Sequence, residues 1–501
     1  MEPNAQVDDD APPQLDAASC YRALAAKDSR FDGVFFTGIK STGIYCRPVC
    51  TVKTPRESSC TFFSSAASAE AAGFRPCLRC RPELAPYALQ QNLAHAVWQR
   101  IAAGALNDGD SERLAAEVGL SSRQLRRVLL QHFGVSPVEL AQTQRLLFAK
   151  KLLQETSLSM AELAFASGFG SVRRFNALFA ARYGMAPGTI RRAAGKENAA
   201  SIGGADSLTL RLAYRPPYAW ADILHYLNGR AIRGVESIEQ ADAAGSYARS
   251  VQIGDIEGWL QVTHLPSRNQ LELRVAPQLA PVLMPLVARV RTQFDLDANP
   301  AVIGSHLMHD RLLAKRIAAM PGWRVPGAFD AFELAVRAVL GQQISVAGAT
   351  TLSGRLTAAF GQAVETPFAG VTHHFPLALR LATAQTSDIA SIGLPKVRAA
   401  TICNLAQFTA QGGLDLKPGT SLHEAVAHLR TISGIGEWTA QYIALRALRY
   451  PDAFPAGDLG LQKAAAESDD SGARLTEKQL IARAASWAPW RGYAALLLWQ
   501  T

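Results

Sequence analysis

Cys46 and Cys50 sit in TGIYCRPVC, and Cys77 and Cys80 in GFRPCLRC; together they are four of the chain's seven cysteines, while Cys20, Cys60 and Cys403 are scattered. Two short cysteine pairs separated by a longer loop are the ligand pattern of one Zn2+ held tetrahedrally by four thiolates. The plain expectation for such a set is a structural ion that staples a small domain. The flanks add to it. Arg47, Lys53, Arg56, Arg75, Arg79 and Arg81 crowd the ligands, which predicts a metal–thiolate cluster on a DNA-facing surface. The sequence opens with MEPNAQVDDDAPPQ, which has no apolar leader, and no apolar run is long enough to span a bilayer. These features predict a cytoplasmic protein with no membrane partner. In that compartment thiols stay reduced, and paired cysteines serve as ligands or nucleophiles.

The elements that must position these residues fall into blocks. A chain of 501 residues with 48% hydrophobic and 19% charged residues is globular and long enough for two to four domains. Its net charge of +9 suits a polyanion partner without proving one. Residues 1–15 read as a disordered lead and 16–84 as the cysteine domain. Residues 90–193 are helical in pattern and repeat: LAAEVGLSSRQLRRVLLQHFGVSP (114–137) is echoed by LAFASGFGSVRRFNALFAARYGMAP (163–187). A polar linker at 194–207 leads to alternating segments such as GWLQVTHL and NQLELRVAP, which predict an antiparallel sheet with a helix or two over 208–295. From 296 to 501 the pattern is helical again. The expected class is therefore multidomain α+β: a small zinc domain, an all-α double helix-turn-helix domain, an antiparallel sheet-plus-helix domain and an all-α domain.

The motifs STGIYCRPVC and AAGFRPCLRC resemble the fingerprints of the N-terminal domain of Ada, the bacterial adaptive-response regulator, over residues 16–84. The resemblance implies that one zinc-bound thiolate, Cys46, is also a nucleophile that takes a methyl group irreversibly from a methylated DNA phosphate. Zinc keeps the sulfur deprotonated at neutral pH. A methyl phosphotriester is neutral and approaches the cluster without repulsion. Methylation lowers the cluster charge from −2 to −1, so DNA affinity should rise. Thr42 and Arg75 match family positions that touch DNA. Where the family has two arginines after the second cysteine, this chain has Thr51 and Lys53, with Lys53 the expected phosphate contact.

Each helical repeat carries the L-A-x3-G turn of a helix-turn-helix and then an arginine-bearing helix. In the first, Ser121 or Ser122 can N-cap the helix with Arg123, Gln124, Arg126 and Arg127; in the second, Ser171 precedes Arg173, Arg174 and Asn176. Residues 112–192 hold twelve Lys/Arg against five Asp/Glu. A helical bundle with a solvated basic face would explain one copy, but two tandem copies argue for DNA binding. The block resembles AraC-type DNA-binding domains, which implies one recognition helix in each of two successive major-groove turns.

In SGIGEWTAQYIALRALRYPDAFPAGDLGLQK (433–463), Gly434–Ile435–Gly436 reads as the hairpin of a helix-hairpin-helix. Its glycines let backbone N–H groups approach a DNA phosphate, directly or through a monovalent cation. Asp458 follows 22 residues after Gly436, the arrangement of helix-hairpin-helix DNA glycosylases, and this makes Asp458 the expected catalytic carboxylate. RPPYAW (215–220), YARS (247–250), VRAVLGQQISVAGA (336–349) and APWRGYAALLLW (488–499) narrow the resemblance to AlkA, the 3-methyladenine glycosylase, over about 208–501. Family base-pocket positions fall on Tyr226, Trp438, Tyr442 and Trp499. Core packing is the competing explanation for any one of these rings, and for Tyr442 the two stand even. An aromatic cleft favours a cationic alkylpurine by stacking and cation–π attraction once the base has left the helix. Relatives that also cut the strand carry a lysine two residues after the last hairpin glycine. Here that residue is Trp438, which predicts a monofunctional enzyme. The family's apolar wedge position is Gln343.

Together these resemblances imply a bacterial, nucleoid-associated fusion of an Ada-like regulator with an AlkA-like glycosylase. Its partners would be alkylated and promoter double-stranded DNA, and RNA polymerase. The alternative is a regulator whose C-terminal half only binds DNA. Retention of Asp458 with the aromatic set argues against that alternative. No PCHR motif is present, so repair of O6-methylguanine is not expected.

Overall fold

Four short strands build the cysteine domain: β1 (Phe36–Ile39), β2 (Ile44–Cys46), β3 (Cys60–Phe63) and β4 (Arg75–Pro76), in the order β3-β1-β2-β4. β1 pairs antiparallel with β2 and β3, and β2 pairs parallel with β4. The computed structural model describes residues 16–86, 93–198, 206–239, 245–466 and 473–500. The lead at 1–15 and residues 199–205 of the expected linker lie outside them. The chain divides into two compact units. One comprises Met1–Gly203 with Leu283–Ala288 and Lys417–Gly419; the other comprises Gly204–Val282, Arg289–Leu416 and Thr420–Thr501. Among the described residues no helix is long and apolar enough to cross a membrane.

In the first unit both repeats fold as helix-turn-helix motifs around the long helix Pro137–Glu155. Ser111–Glu117 precedes Ser122–Phe133 in the first, and Met160–Ala166 precedes Val172–Tyr183 in the second. Leu114, Leu125, Leu129 and Phe133 recur at helical spacing and are buried in one core. Pro137 and Pro187 each open the helix after a repeat, a position where the missing N–H costs nothing. The cysteine domain shares a core with this bundle, because Leu147 of the long helix packs among Phe36, Tyr45 and Ala69.

The second unit begins with an antiparallel sheet of β5 (Leu208–Ala213), β6 (Glu236–Glu239), β7 (Ser246–Ile253), β8 (Ile256–Leu265) and β9 (Gln270–Val275), ordered β5-β9-β8-β7-β6. Period-two alternation buries Leu260 and Val262 of β8 and Leu271, Leu273 and Val275 of β9. Helices follow from Pro300 to Leu498. Two of them frame the hairpin, Leu422–Leu429 before it and Glu437–Arg446 after it.

Candidate functional site

The parallel register of β2 with β4 sets Tyr45 beside Pro76, so Cys46 and Cys77, one residue further along each strand, lie side by side. The ligand atoms of Cys46, Cys50, Cys77 and Cys80 all fall within 4.8 Å of one another. A Zn–S length of about 2.3 Å in a tetrahedron needs thiolates roughly 3.8 Å apart, so the donor set fits one Zn2+. Thiols this close share protons: hydrogen bonding to Cys50 pushes the Cys46 thiol up, and hydrogen bonding to Cys46 pulls the Cys77 thiol down. The Arg47 amide N–H donates to Cys80 Sγ at 3.4 Å. Cys46, Cys50 and Cys77 are buried and Cys80 less so.

The arginines around the cysteines divide. Thr42, Lys53, Arg75 and Arg79 are exposed. Arg75 donates its backbone N–H to Gly43 at 2.8 Å, so it stands beside the Thr42 turn. Arg47 and Arg81 correct the expectation of a uniform basic surface. Arg47 is buried in an ion pair with Asp32 and donates to the Cys80 carbonyl at 3.1 Å. Arg81 pairs with Glu83 at 3.0 Å and with Glu155 of the long helix at 2.5 Å. Both face inward because a buried carboxylate is there to meet them.

These pairs extend into a buried network that seats the metal domain on the helices. Lys150 reaches Glu83 at 2.6 Å and the Cys77 carbonyl at 3.2 Å. Tyr45, next to Cys46, donates to Glu70 at 3.0 Å. Glu70 also accepts from Thr143 of the long helix at 2.9 Å and pairs with Arg182 in the last turn of Val172–Tyr183. The sequence pattern did not announce Glu70, Glu83, Lys150 or Arg182, since charged residues on amphipathic helices ordinarily face solvent.

In the helix-turn-helix block, Arg123, Arg126, Arg127, Arg173, Arg174 and Asn176 are exposed. Gln124 is exposed as well, and its Oε1 accepts from the Ser121 N–H at 2.9 Å and the Ser121 hydroxyl at 3.0 Å, closing a capping box. Ser121, not Ser122, is the N-cap.

In the second unit, Asp458 is the N-cap of the helix Leu459–Ala465 and accepts from the Leu461 N–H at 2.9 Å. Trp438 Nε1 donates to its Oδ2 at 2.9 Å and Trp499 Nε1 to its Oδ1 at 3.0 Å. Three helices thus meet at one half-buried carboxylate. Trp438 stacks on Tyr442, with centroids 5.4 Å apart and planes 8° apart, and Tyr442 tilts against Trp499 at 6.0 Å. Tyr226 is fully buried behind them, joined through Arg446, which donates to both the Tyr226 and Tyr442 hydroxyls. The four expected aromatics therefore converge. Asp452, by contrast, is occupied by Arg491 at 2.8 and 2.5 Å.

The hairpin lies against the helix Lys396–Ala410. Gly434 has φ +92°, and a Cβ there would come within 1.9 Å of Thr401 Oγ1. Gly436 N-caps Glu437–Arg446 without any side-chain cap, which leaves first-turn N–H groups for an anion. Gln342 Nε2 ties the Gly341–Ser345 turn to the hairpin, donating to the Gly434 carbonyl at 3.0 Å and to Thr439 at 3.1 Å. Gln343 is exposed at φ +56° on that turn, with Ile344 exposed beside it. Sequence reasoning missed Gln342, Arg230, Arg337 and Arg446; the one available signal was the four-residue spacing from Tyr442 to Arg446.

A carboxylate behind a glycine hairpin, clasped by two indoles and preceded by an antiparallel sheet, defines a helix-hairpin-helix base-excision protein, here continuous with a four-cysteine metal domain and tandem helix-turn-helix motifs. Four family models match in that order: the metal binding domain of Ada over residues 19–83, a helix-turn-helix domain over 114–193, the AlkA N-terminal domain over 209–330, and the HhH-GPD superfamily base excision DNA repair protein over 336–489. The chain is 37% identical over 97% of its length, and 96% of the relative's, to the Mycobacterium tuberculosis "Probable bifunctional transcriptional activator/DNA repair enzyme AlkA". It is 34% identical over 58% of its length to the Escherichia coli DNA-3-methyladenine glycosylase 2, covering 96% of that protein. A 3-methyladenine DNA-glycosylase from Archaeoglobus fulgidus shares the fold over 58% of this chain and 96% of its own, at TM-score 0.50 and 18% identity. The chain belongs to the family of bifunctional transcriptional activator/DNA repair AlkA proteins. It binds one Zn2+ through Cys46, Cys50, Cys77 and Cys80 and has double-stranded DNA as its partner.

Proposed function

We propose that the second unit excises alkylated purines of the 3-methyladenine type by hydrolysis of the N-glycosidic bond, with Asp458 as the catalytic carboxylate. The observation that carries this reading is the clasp of Asp458 by the Trp438 and Trp499 indole N–H groups. The two donors fix the carboxylate in orientation beside the stacked rings. A flipped alkylpurine stacks on those rings, and Asp458 stabilises the positive sugar that develops as the bond to the base breaks. Water completes the sugar, and the base leaves with its electron pair. With Trp438 where an amine nucleophile would stand, no Schiff base forms and the abasic strand stays intact. Release of 3-methyladenine from alkylated DNA by wild type, and its loss in Asp458→Asn protein that still folds and binds DNA, tests the reading. Strand cleavage without added base would contradict it. The hairpin glycines hold a DNA phosphate, directly or through a monovalent cation, and Gln343 occupies the gap left by the base.

The first unit reads the same damage. When bound, zinc keeps the four thiolates deprotonated and reactive. Cys46 Sγ forms a bond to the methyl carbon of a DNA methyl phosphotriester as the methyl–oxygen bond breaks, leaving a phosphodiester anion and a thioether. Thr42, Lys53 and Arg75 approach the backbone, and the exposed arginines of the two recognition helices, with Asn176, read the promoter. One negative charge fewer near a phosphate is worth on the order of 1–3 kcal/mol, so the methylated protein binds its promoter roughly tenfold or more tightly and recruits RNA polymerase. Mass spectrometry after exposure to methylated DNA should place the added methyl on Cys46; a methyl on Cys60 or Cys403 would sink the assignment.

A further inference from the structure

Both recognition helices end on the metal domain. Ser122–Phe133 closes at Gly134, φ +71°, and Val172–Tyr183 at Gly184, φ +68°. The last carbonyls of the first helix are met from the segment that opens the short helix Ala66–Ala71: the Ser65 hydroxyl donates to the Phe133 carbonyl at 3.2 Å and the Ser64 hydroxyl to the His132 carbonyl at 3.4 Å. A Cβ on Gly134 would lie 3.5 Å from the Ser68 Cβ, and Ala67 is buried in the same core as Leu129 and Phe133. The second helix ends about one turn further along the same short helix. There Glu70 pairs with Arg182, and a Cβ on Gly184 would lie 3.6 Å from Arg75 Nη1.

Glu70 gathers three elements at one carboxylate. It is buried, and it accepts from Tyr45 of β2 at 3.0 Å, from Thr143 of the long helix at 2.9 Å and from Arg182. Three donors from three elements hold a carboxylate more firmly than one ion pair does, and a charge-assisted bond to a fixed carboxylate fixes the helix end that supplies the guanidinium. The long helix joins the two motifs along the chain. Glu70 adds a tie across it, to a residue 112 positions away in sequence. Reading two successive major grooves at once needs such a tie. The grooves repeat every ~34 Å along the duplex, and the second contact gains from the first only while the two helices keep that spacing.

We propose that Glu70 is a positioning residue for promoter recognition: by seating Arg182 it makes the metal domain the frame that holds the second recognition helix at the groove spacing of the first. The proposal rests on the reading above in which the two recognition helices read one promoter. It gives the metal domain a part in sequence reading that does not pass through Cys46 or its methyl group. Without the seat each motif still binds DNA, but the two no longer bind as a unit. Affinity for a correctly phased site then falls toward that for a misphased one.

The test uses the full-length zinc protein and a duplex that it selects from a random-sequence pool, with hydroxyl-radical footprinting to mark the two protected groove segments. A second duplex carries about five extra base pairs between those segments, half a helical turn, which puts one segment on the opposite face. Wild type should bind the parent duplex roughly tenfold or more tightly than the misphased one. Arg182→Met should bind both alike, near the wild-type affinity for the misphased duplex, and so should Glu70→Gln. Arg182→Lys, which keeps the charge, should restore most of the wild-type preference. Zinc content and thermal unfolding, measured in parallel, report folding. Arg182 is part-exposed at a helix end, so its variants decide the matter should Glu70→Gln fail to fold. An Arg182→Met protein that binds both duplexes more weakly but keeps the parent-to-misphased ratio would have lost only a phosphate contact or some stability, and would overturn the proposal; so would an unchanged ratio at unchanged affinity. If wild type itself draws no distinction between the two duplexes, the two-helix promoter reading fails and the positioning role with it.

Discussion

At the scale of the residue, Asp458 and Asp452 make a natural contrast. Both lie in the stretch after the hairpin helix, yet Asp458 accepts from two indoles and Asp452 is taken by Arg491. Asp458→Asn is expected to lower base release at least about a hundredfold with unfolding unchanged, because the lost charge is needed only as the sugar becomes positive. Asp452→Asn should leave the rate alone and cost about 1 kcal/mol of stability, the scale of a half-exposed ion pair; a denaturant titration beside the rate assay separates the two. The place of Asp458 beside the hairpin helix was legible because its distance from Gly436 is a motif. Arg230 and Arg446 were not: the four-residue step from Tyr442 to Arg446 puts those two on one helix face, but it does not tell a guanidinium turned into a pocket from one turned to solvent. The capping role of Gln124 was hidden for a related reason: the residue type suited to an adenine edge also closes a capping box.

At the scale of the element, the helix Pro137–Glu155 carries the first unit. Its Lys150 is wholly buried between Glu83 and the Cys77 carbonyl. Lys150→Met should destabilise the unit by roughly 3 kcal/mol, since Glu83 loses a buried partner, and should loosen the Cys77 segment enough to weaken zinc retention, measured by chelator competition. A second effect belongs to Leu93–Ala102, where His95 packs on Phe133 at 5.1 Å and burial, with His132 nearby, lowers its pKa to about 4. Above about 6.5 the imidazole is neutral folded or unfolded. Between that pH and about 4 only the unfolded chain takes up the proton, so stability present at neutral pH is lost on acidification, on the order of 2–3 kcal/mol. His95→Phe should flatten that part of the stability profile. The elements themselves could be read in advance, from the repeated L-A-x3-G turn and the alternating strands. Their mutual seating could not, because the Glu70 network joins positions more than seventy residues apart that no periodicity connects.

At the scale of the whole molecule, the Escherichia coli glycosylase relative corresponds to only 58% of this chain, which predicts that residues 206–501, expressed alone, release alkylated bases at close to the full-length rate. Stripping zinc with a chelator should abolish methyl acceptance and lower the melting temperature of the first unit, with base release retained; loss of base release on chelation would show that the fragments are not autonomous. Gly434 gives the matter a genetic side. Any side chain there meets Thr401 in a backbone conformation that glycine alone adopts freely, so the position is closed to mutation wherever the hairpin must hold DNA. Random mutagenesis of this one gene should therefore yield Gly434 alleles that still induce a reporter promoter after methylating stress yet leave cells with unrepaired alkylpurines: separation-of-function alleles, in which the alarm still sounds and the damage stays.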